Sequence, residues 1–118
     1  MGVTQPSEIN TAFADGFNRR DVDALLGLYQ PDGAVVEVDG TVSHGIDPIR
    51  DHLARLIAIG GTMTSTNLTT VVAGDIALVT AAWEIVGASL APSITGHSAE
   101  VLRRSGDGTW AYLIDQPA

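Results

Sequence analysis

The apolar pattern of this chain changes period at Gly60-Gly61, and that change limits the folds open to it more than any other feature. Before the glycine pair, apolar residues recur at helical spacing. Ile9, Phe13 and Phe17 fall every four residues, followed by Val22, Leu25, Leu26 and Tyr29, and then by Ile49, Leu53, Leu56 and Ile57. Beyond it come runs rich in Thr, Val, Ile and aromatic residues, broken by Gly-Asp and Gly-Asp-Gly turns. Helices first and a long strand meander afterwards is the order of an α+β protein, and the sheet must curl around the helices to bury both sets of apolar side chains.

Local signals set the expected boundaries. Ser7 is a plausible N-cap for a first helix running to about Asn18. Asp21 caps a second, which carries Tyr29 on its buried face and stops at Pro31-Asp32-Gly33. Ala34 to Val38 reads as a strand, Asp39-Gly40 as a tight turn and Thr41-Val42 as a short return strand. A third helix opens at Gly45, takes Pro48 in its first turn and ends at Gly60-Gly61. Four antiparallel strands then follow, at about Met63 to Ala73, Ile76 to Val86, Ile94 to Arg104 and Thr109 to Asp115. The 118 residues, 45% of them apolar, suffice for one domain with a single core, expected to span residues 1–118.

Charge and composition exclude several kinds of function. Fourteen acidic residues against six basic ones give a net charge of −8, which repels phosphate backbones and anionic headgroups, so neither nucleic acid nor a membrane surface is an expected partner. All six basic residues are Arg, which rules out Schiff-base chemistry and a P-loop lysine. Without cysteine there is no disulfide framework and no thiolate metal site, as suits a reducing compartment, and a cytoplasmic protein is expected. The first residues show no basic segment leading into an apolar run, and no apolar stretch approaches bilayer length. His44, His52 and His97 lack metal-ligand spacing, so neither metal nor cofactor is expected.

Three strings sharpen the reading. Asn18-Arg19-Arg20-Asp21-Val22-Asp23-Ala24-Leu25-Leu26-Gly27-Leu28-Tyr29 joins the first two helices, and His44-Gly45 with Ile49 starts the third. Glu100-Val101-Leu102-Arg103-Arg104, Asp107-Gly108-Thr109-Trp110 and Ile114-Asp115 form the closing hairpin. In this order they resemble the SnoaL-like and ketosteroid-isomerase-like proteins of the nuclear transport factor 2 superfamily. The resemblance covers most of the chain. It implies three N-terminal helices packed in the concave face of a strongly curved, mixed but mostly antiparallel sheet, a cone with a pocket at its mouth. That family includes isomerases, cyclases, epoxide hydrolases and plain binding domains, so the fold alone does not select a function.

The resemblance also assigns residues. Glu37, eight residues after Tyr29, matches the position of the isomerases' general base, and Glu100 matches their second acid, kept neutral so that it donates a hydrogen bond. By the same correspondence Asp115 faces the pocket. Phe13 stands where those isomerases carry an oxyanion-binding tyrosine, whose loss commonly costs about two to three orders of magnitude in rate, which argues against steroid isomerisation itself. Ser98 stands where epoxide hydrolases of the superfamily need an arginine. Phe13, Phe17, Trp83, Ser98 and Asp115 are the expected pocket residues. From strand period alone, Glu37 points to solvent, Glu100 pairs with an Arg across the sheet, and Asp115 is solvated or held by Arg103 or Arg104. The two expectations for function are a cofactor-independent isomerase, cyclase or dehydratase acting on a small apolar carbonyl compound, with Glu37 as base and Glu100 as acid, and a non-catalytic binding or dimerising accessory domain. Apolar residues on both faces of the central strands point to a homodimer formed sheet to sheet.

Overall fold

The computed structural model describes residues 2–89 and 91–118. A 3₁₀ turn, Pro6–Glu8, leads into α1, Ile9–Asn18, and α2 covers Val22–Leu26. The hairpin of β1, Tyr29–Val36, and β2, Val42–His44, precedes α3, Ile46–Ala58. Four strands complete the chain: β3, Thr62–Ala73; β4, Ile76–Val86; β5, Ser93–Arg104; and β6, Trp110–Gln116. They form one six-stranded sheet in the order β2-β1-β6-β5-β4-β3, antiparallel throughout except where β1 lies parallel to β6. The sheet is curled but not closed, and the three helices pack on its inner face, giving the expected α+β cone.

Several boundaries differ from the sequence reading, and β1 stops at Val36 while β2 runs to His44. Asp21 caps α2 as expected, its side chain accepting from the Ala24 amide, but the helix ends at Leu26. Tyr29 therefore begins a strand, and Pro31-Asp32-Gly33 is an irregularity inside β1 rather than a helix stop. Packing explains the override. The Tyr112 amide donates to the Leu28 carbonyl, and a Cβ on Gly33 would come within 2.9 Å of the Gln30 carbonyl oxygen, so only glycine lets this segment lie against β6. At the first helix Ser7 is not the cap. The 3₁₀ turn started by Pro6 occupies that position, and α1 begins two residues later.

The main core joins Ile9, Leu25, Val35, Ile49, Leu53, Val79, Leu102 and Tyr112, so one side chain or more from nearly every element meets at its centre. A second cluster, Ala14, Phe17, Met63 and Ile85, packs between α1 and the β3–β4 pair. Phe17 is fully buried there, with the Arg20 guanidinium over its ring. It is thus a core residue behind the pocket, and its expected place on the pocket wall is corrected: four residues after Phe13 it lies one full turn farther along α1, beyond the cavity. Phe17→Ala should cost about 3–5 kcal/mol of stability by leaving a cavity in that cluster. Urea unfolding checks this, and a loss under 1 kcal/mol would show that Phe17 is not a core residue.

Candidate functional site

Alternation along β5 turns Ser98, Glu100 and Leu102 inward, and Glu100 sits between Val79 on β4 and Asp115 on β6. Along β6 the alternation breaks. Leu102 pairs with Tyr112 but Val101 pairs with Ile114, so Leu113 is an extra residue, a β-bulge. Because of it Tyr112 and Asp115, three positions apart, both face the interior while Ile114 between them faces out. This irregularity brings the two acids together. Glu100 and Asp115 are directly opposite one another across β5 and β6, 2% and 5% exposed.

A directed chain of hydrogen bonds serves the pair. The Tyr112 hydroxyl donates to Asn10 Oδ1 over 2.7 Å, and Asn10 Nδ2 donates to Glu100 Oε1 over 2.9 Å. From the other side the Tyr29 hydroxyl donates to Asp115 Oδ2 over 2.5 Å. Burial, then the charge of Asp115, pushes the Glu100 carboxyl up to about 8 from its ordinary 4.5. Asp115 is also raised by burial, though the Tyr29 hydroxyl, the charge of His52 and a hydrogen bond with Glu100 oppose the rise. That Glu100–Asp115 bond raises Glu100 and lowers Asp115, so within the coupled pair Glu100 is the member favoured to carry the shared proton. Both phenols are raised well above 10, first by burial, and remain donors.

The pair opens on a cavity of about 170 Å³ between α1, α3 and the inner face of the sheet. Its walls are almost entirely apolar, with Phe13, Leu56, Met63 and Trp83 facing the polar end formed by Ser98, Glu100, Tyr112 and Asp115. Trp83 is positioned by two neighbours. Gly96 lies opposite it, where a Cβ would come within 2.5 Å of the indole, and the indole nitrogen donates to the Pro117 carbonyl over 2.7 Å. Phe13, Trp83, Ser98, Glu100 and Asp115 are therefore all on the cavity wall.

Glu37 is not among them. It lies just past β1, where the hairpin turn begins, and its side chain is engaged on both oxygens. Ser43 Oγ donates to Oε2 over 2.6 Å, with Arg55 at 3.4 Å, and His52 Nδ1 lies 2.8 Å from Oε1. Desolvation acts against ionisation here, but Ser43, His52 and Arg55 together outweigh it and hold Glu37 below the ordinary range. The expectation that Glu37 and Glu100 share one water-poor pocket is thus corrected. Glu100 and Asp115 share it, and Glu37 stands behind its wall as an ionised group.

Asn10, Tyr29, Tyr112 and His52 are site residues that the sequence reading missed. Asn10 stands three residues before Phe13 and seven before Phe17, so it shares their helical face, and a polar side chain in that stripe was the available signal. Tyr112 carried no such mark, because its role depends on the fold that brings Asn10 to it. Among the described residues no three His, Asp, Glu or Cys side chains converge as a metal site, and no helix is long and apolar enough to cross a membrane.

Fold and site together define a cone-shaped pocket protein of the nuclear transport factor 2-like class. Residues 10–113 match the model of the SnoaL-like domain, and the chain belongs to that family. Among solved structures it is similar to a ketosteroid isomerase-like protein from Erwinia carotovora atroseptica, with a TM-score of 0.76 at 21% identity over 91% of this chain and 87% of that one. It is similar to a putative dehydratase of the NTF2-like family from Streptomyces avermitilis, with a TM-score of 0.72 at 21% identity over 91% and 88%. A protein of ketosteroid isomerase-like fold from Catenulispora acidiphila, in complex with trimethylamine, gives 0.68 at 26% identity over 91% and 81%. No curated protein matches the chain.

The buried acid pair makes stability depend on pH with a definite sign. A carboxyl raised in the folded state binds its proton more tightly there than in the unfolded chain, so its contribution is complete below about 4.5 and is lost as pH rises through about 8. At about 1.4 kcal/mol per pKa unit the loss is at most on the order of 4–5 kcal/mol. Glu37, lowered instead, acts in the opposite direction and only in acid. Melting temperatures should fall from pH 5 to pH 8.5, and Glu100→Gln should flatten that fall. A wild-type profile flat over this range would contradict the buried protonated pair.

Proposed function

We propose that this protein binds a small, uncharged, largely apolar molecule with one carbonyl or hydroxyl oxygen, and that it moves a proton on that molecule by general acid–base chemistry, as an isomerase, cyclase or dehydratase without a cofactor. The observation that carries the reading is a pair of buried carboxyl groups, Glu100 and Asp115, side by side on the wall of an otherwise apolar cavity. Glu100 supplies a strong hydrogen bond to a developing oxyanion, and the apolar wall strengthens it by excluding water. The cavity volume, about 170 Å³, is close to the ~150 Å³ of a cavity that accepts benzene, so it suits one ring rather than a fused polycycle. With the chain at −8 and two carboxyl groups at the polar end of the cavity, anions are disfavoured. A cysteine-free chain of this kind suits the cytoplasm.

Titrations followed by tryptophan fluorescence, with Trp83 on the wall as reporter, test the ligand class. Phenol and cyclohexenone should bind in the roughly micromolar-to-millimolar range expected of so few atoms, with benzoate and phenyl phosphate at least ~10-fold weaker. Tighter binding of the anions would overturn the proposal. Binding of phenol unchanged by Glu100→Gln, with no proton transfer by the wild type, would favour a non-catalytic binding domain.

We further propose that the protein is a homodimer joined through the outer face of the sheet. Register places Val71, Leu78, Val101 and Ile114 in one row across β3, β4, β5 and β6 on that face. Val71 is 52% exposed, Leu78 43% and Ile114 43%, with Ile76 and Val86 exposed on the same side of β4. So continuous an apolar row is costly in water. Light scattering should give twice the 12.3 kDa chain mass, and Leu78→Glu should return it to the monomer. A wild-type monomer at micromolar concentration would rule this out.

A further inference from the structure

The acid pair provides a proton donor but leaves open which group takes a proton from carbon, since Glu37 does not reach the cavity. On α3, Ile49 and Leu53 turn into the core, whereas His52 and Leu56, four residues apart, lie on the cavity wall. His52 is largely buried there, with 14% of its side chain exposed. We propose that His52 is the proton-accepting base of this site, facing the Glu100–Asp115 pair, and that Glu37 is the positioning residue that orients its ring.

Geometry settles the tautomer. Glu37 Oε1 lies 2.8 Å from Nδ1, while the other carboxylate oxygen takes the Ser43 hydroxyl and the Arg55 guanidinium. A carboxylate with donors on both oxygens is an acceptor only, so the hydrogen between it and the ring belongs to Nδ1, and a neutral ring then carries its lone pair on Nε2. Among the described residues no protein group bonds Nε2. The charged and polar groups around the ring are Glu37 beside β1, Ser43 on β2, Arg55 on its own helix and Asp115 on β6. Of these only Glu37 bonds the ring, through Nδ1, while Asp115 lines the same cavity as His52, so the Nε2 side of the ring is left to a molecule held in that cavity.

The step balances without a co-reactant. Nε2 takes the hydrogen from a carbon next to a carbonyl, the C–H electron pair becomes the carbon–carbon double bond of an enol, and the carbonyl oxygen receives the Glu100 proton. The imidazolium then returns its proton at the same or another carbon while the enol hydroxyl returns its own to Glu100, which gives exchange or isomerisation and restores both groups. If the substrate carries a β-hydroxyl, Glu100 donates its proton to that leaving oxygen instead, water departs, and the imidazolium then gives its proton to solvent as Glu100 takes one back.

This inference rests on the proton-transfer reading above, and the test separates the two. The probe is cyclohex-2-en-1-one in D₂O, with loss of its exchangeable ring protons followed by proton NMR. Wild type should accelerate exchange over buffer, and His52→Asn should lose about 10²–10⁴-fold, the usual contribution of a general base. His52→Gln serves as a second variant should the first fold poorly. Glu37→Gln should lose less, about 10-fold, with partial recovery in Glu37→Asp, and two-bond ¹H–¹⁵N spectra should show the Nδ1–H form of His52 in wild type and a mixture of tautomers in Glu37→Gln. Exchange at the wild-type rate in a folded His52→Asn, with exchange lost in Glu100→Gln, would overturn the role of His52 and leave the proton-transfer reading standing. No exchange above buffer by wild type would overturn both.

Discussion

Two carboxyl groups paired across adjacent strands, inside an apolar cone, are the constraint to which the rest of the site answers. An isolated carboxylate at such depth is strongly disfavoured, and two are worse, so the pair retains a proton and gathers donors from every side. Asn10 from α1, Tyr29 from β1, Tyr112 from β6 and Ser98 from β5 together satisfy it. Each of these side chains would be an ordinary core or surface residue elsewhere. Their convergence depends on one bulge at Leu113 and one glycine-permitted irregularity in β1, which set the facing of Asp115 and the approach of Tyr29.

Such a network contributes little net stability, since a buried polar set is often no better than an apolar one of equal volume. What it contributes is a proton held at a fixed place next to an apolar cavity. The opposite wall carries the complementary device. There Glu37 is kept ionised by Ser43, His52 and Arg55, which together outweigh its partial desolvation. One wall thus stores a proton near neutral pH and the other stores a negative charge, with about 170 Å³ of apolar space between them. Separating acid and base by environment rather than by residue type is how carboxyl groups take different roles in one site.

Much of this was legible in the sequence, for identifiable reasons. The α+β order and the six strands follow from the change of period at Gly60-Gly61 and from the Gly-Asp turns, signals carried by backbone preference alone. Trp83 follows from strict alternation on β4, where the register with β5 runs without a break from Ile76 to Val86, whereas Glu100 was placed by family resemblance. Nor does Asp115 follow from alternation. Counting twos from Tyr112 turns it outward, and only family resemblance placed it inside, because a bulge leaves no mark on hydrophobic period. Tyr29 was lost for a related reason, since Pro31-Asp32-Gly33 reads as a helix stop unless the parallel pairing with β6 is known. Glu37 and His52, fifteen residues apart on different elements, form a pair that no local spacing announces.

Carbon-detected NMR titration of the side-chain carboxyl groups of Glu100 and Asp115 in the unmodified protein tests the account most directly. One coupled transition near pH 8 with its larger amplitude on Glu100 is expected, and a Glu37 signal that stays ionised down to below the ordinary glutamate range. Glu100 and Asp115 both titrating at ordinary carboxyl values, roughly 4, would mean that water reaches the pair, and the account of the site built on it would be wrong.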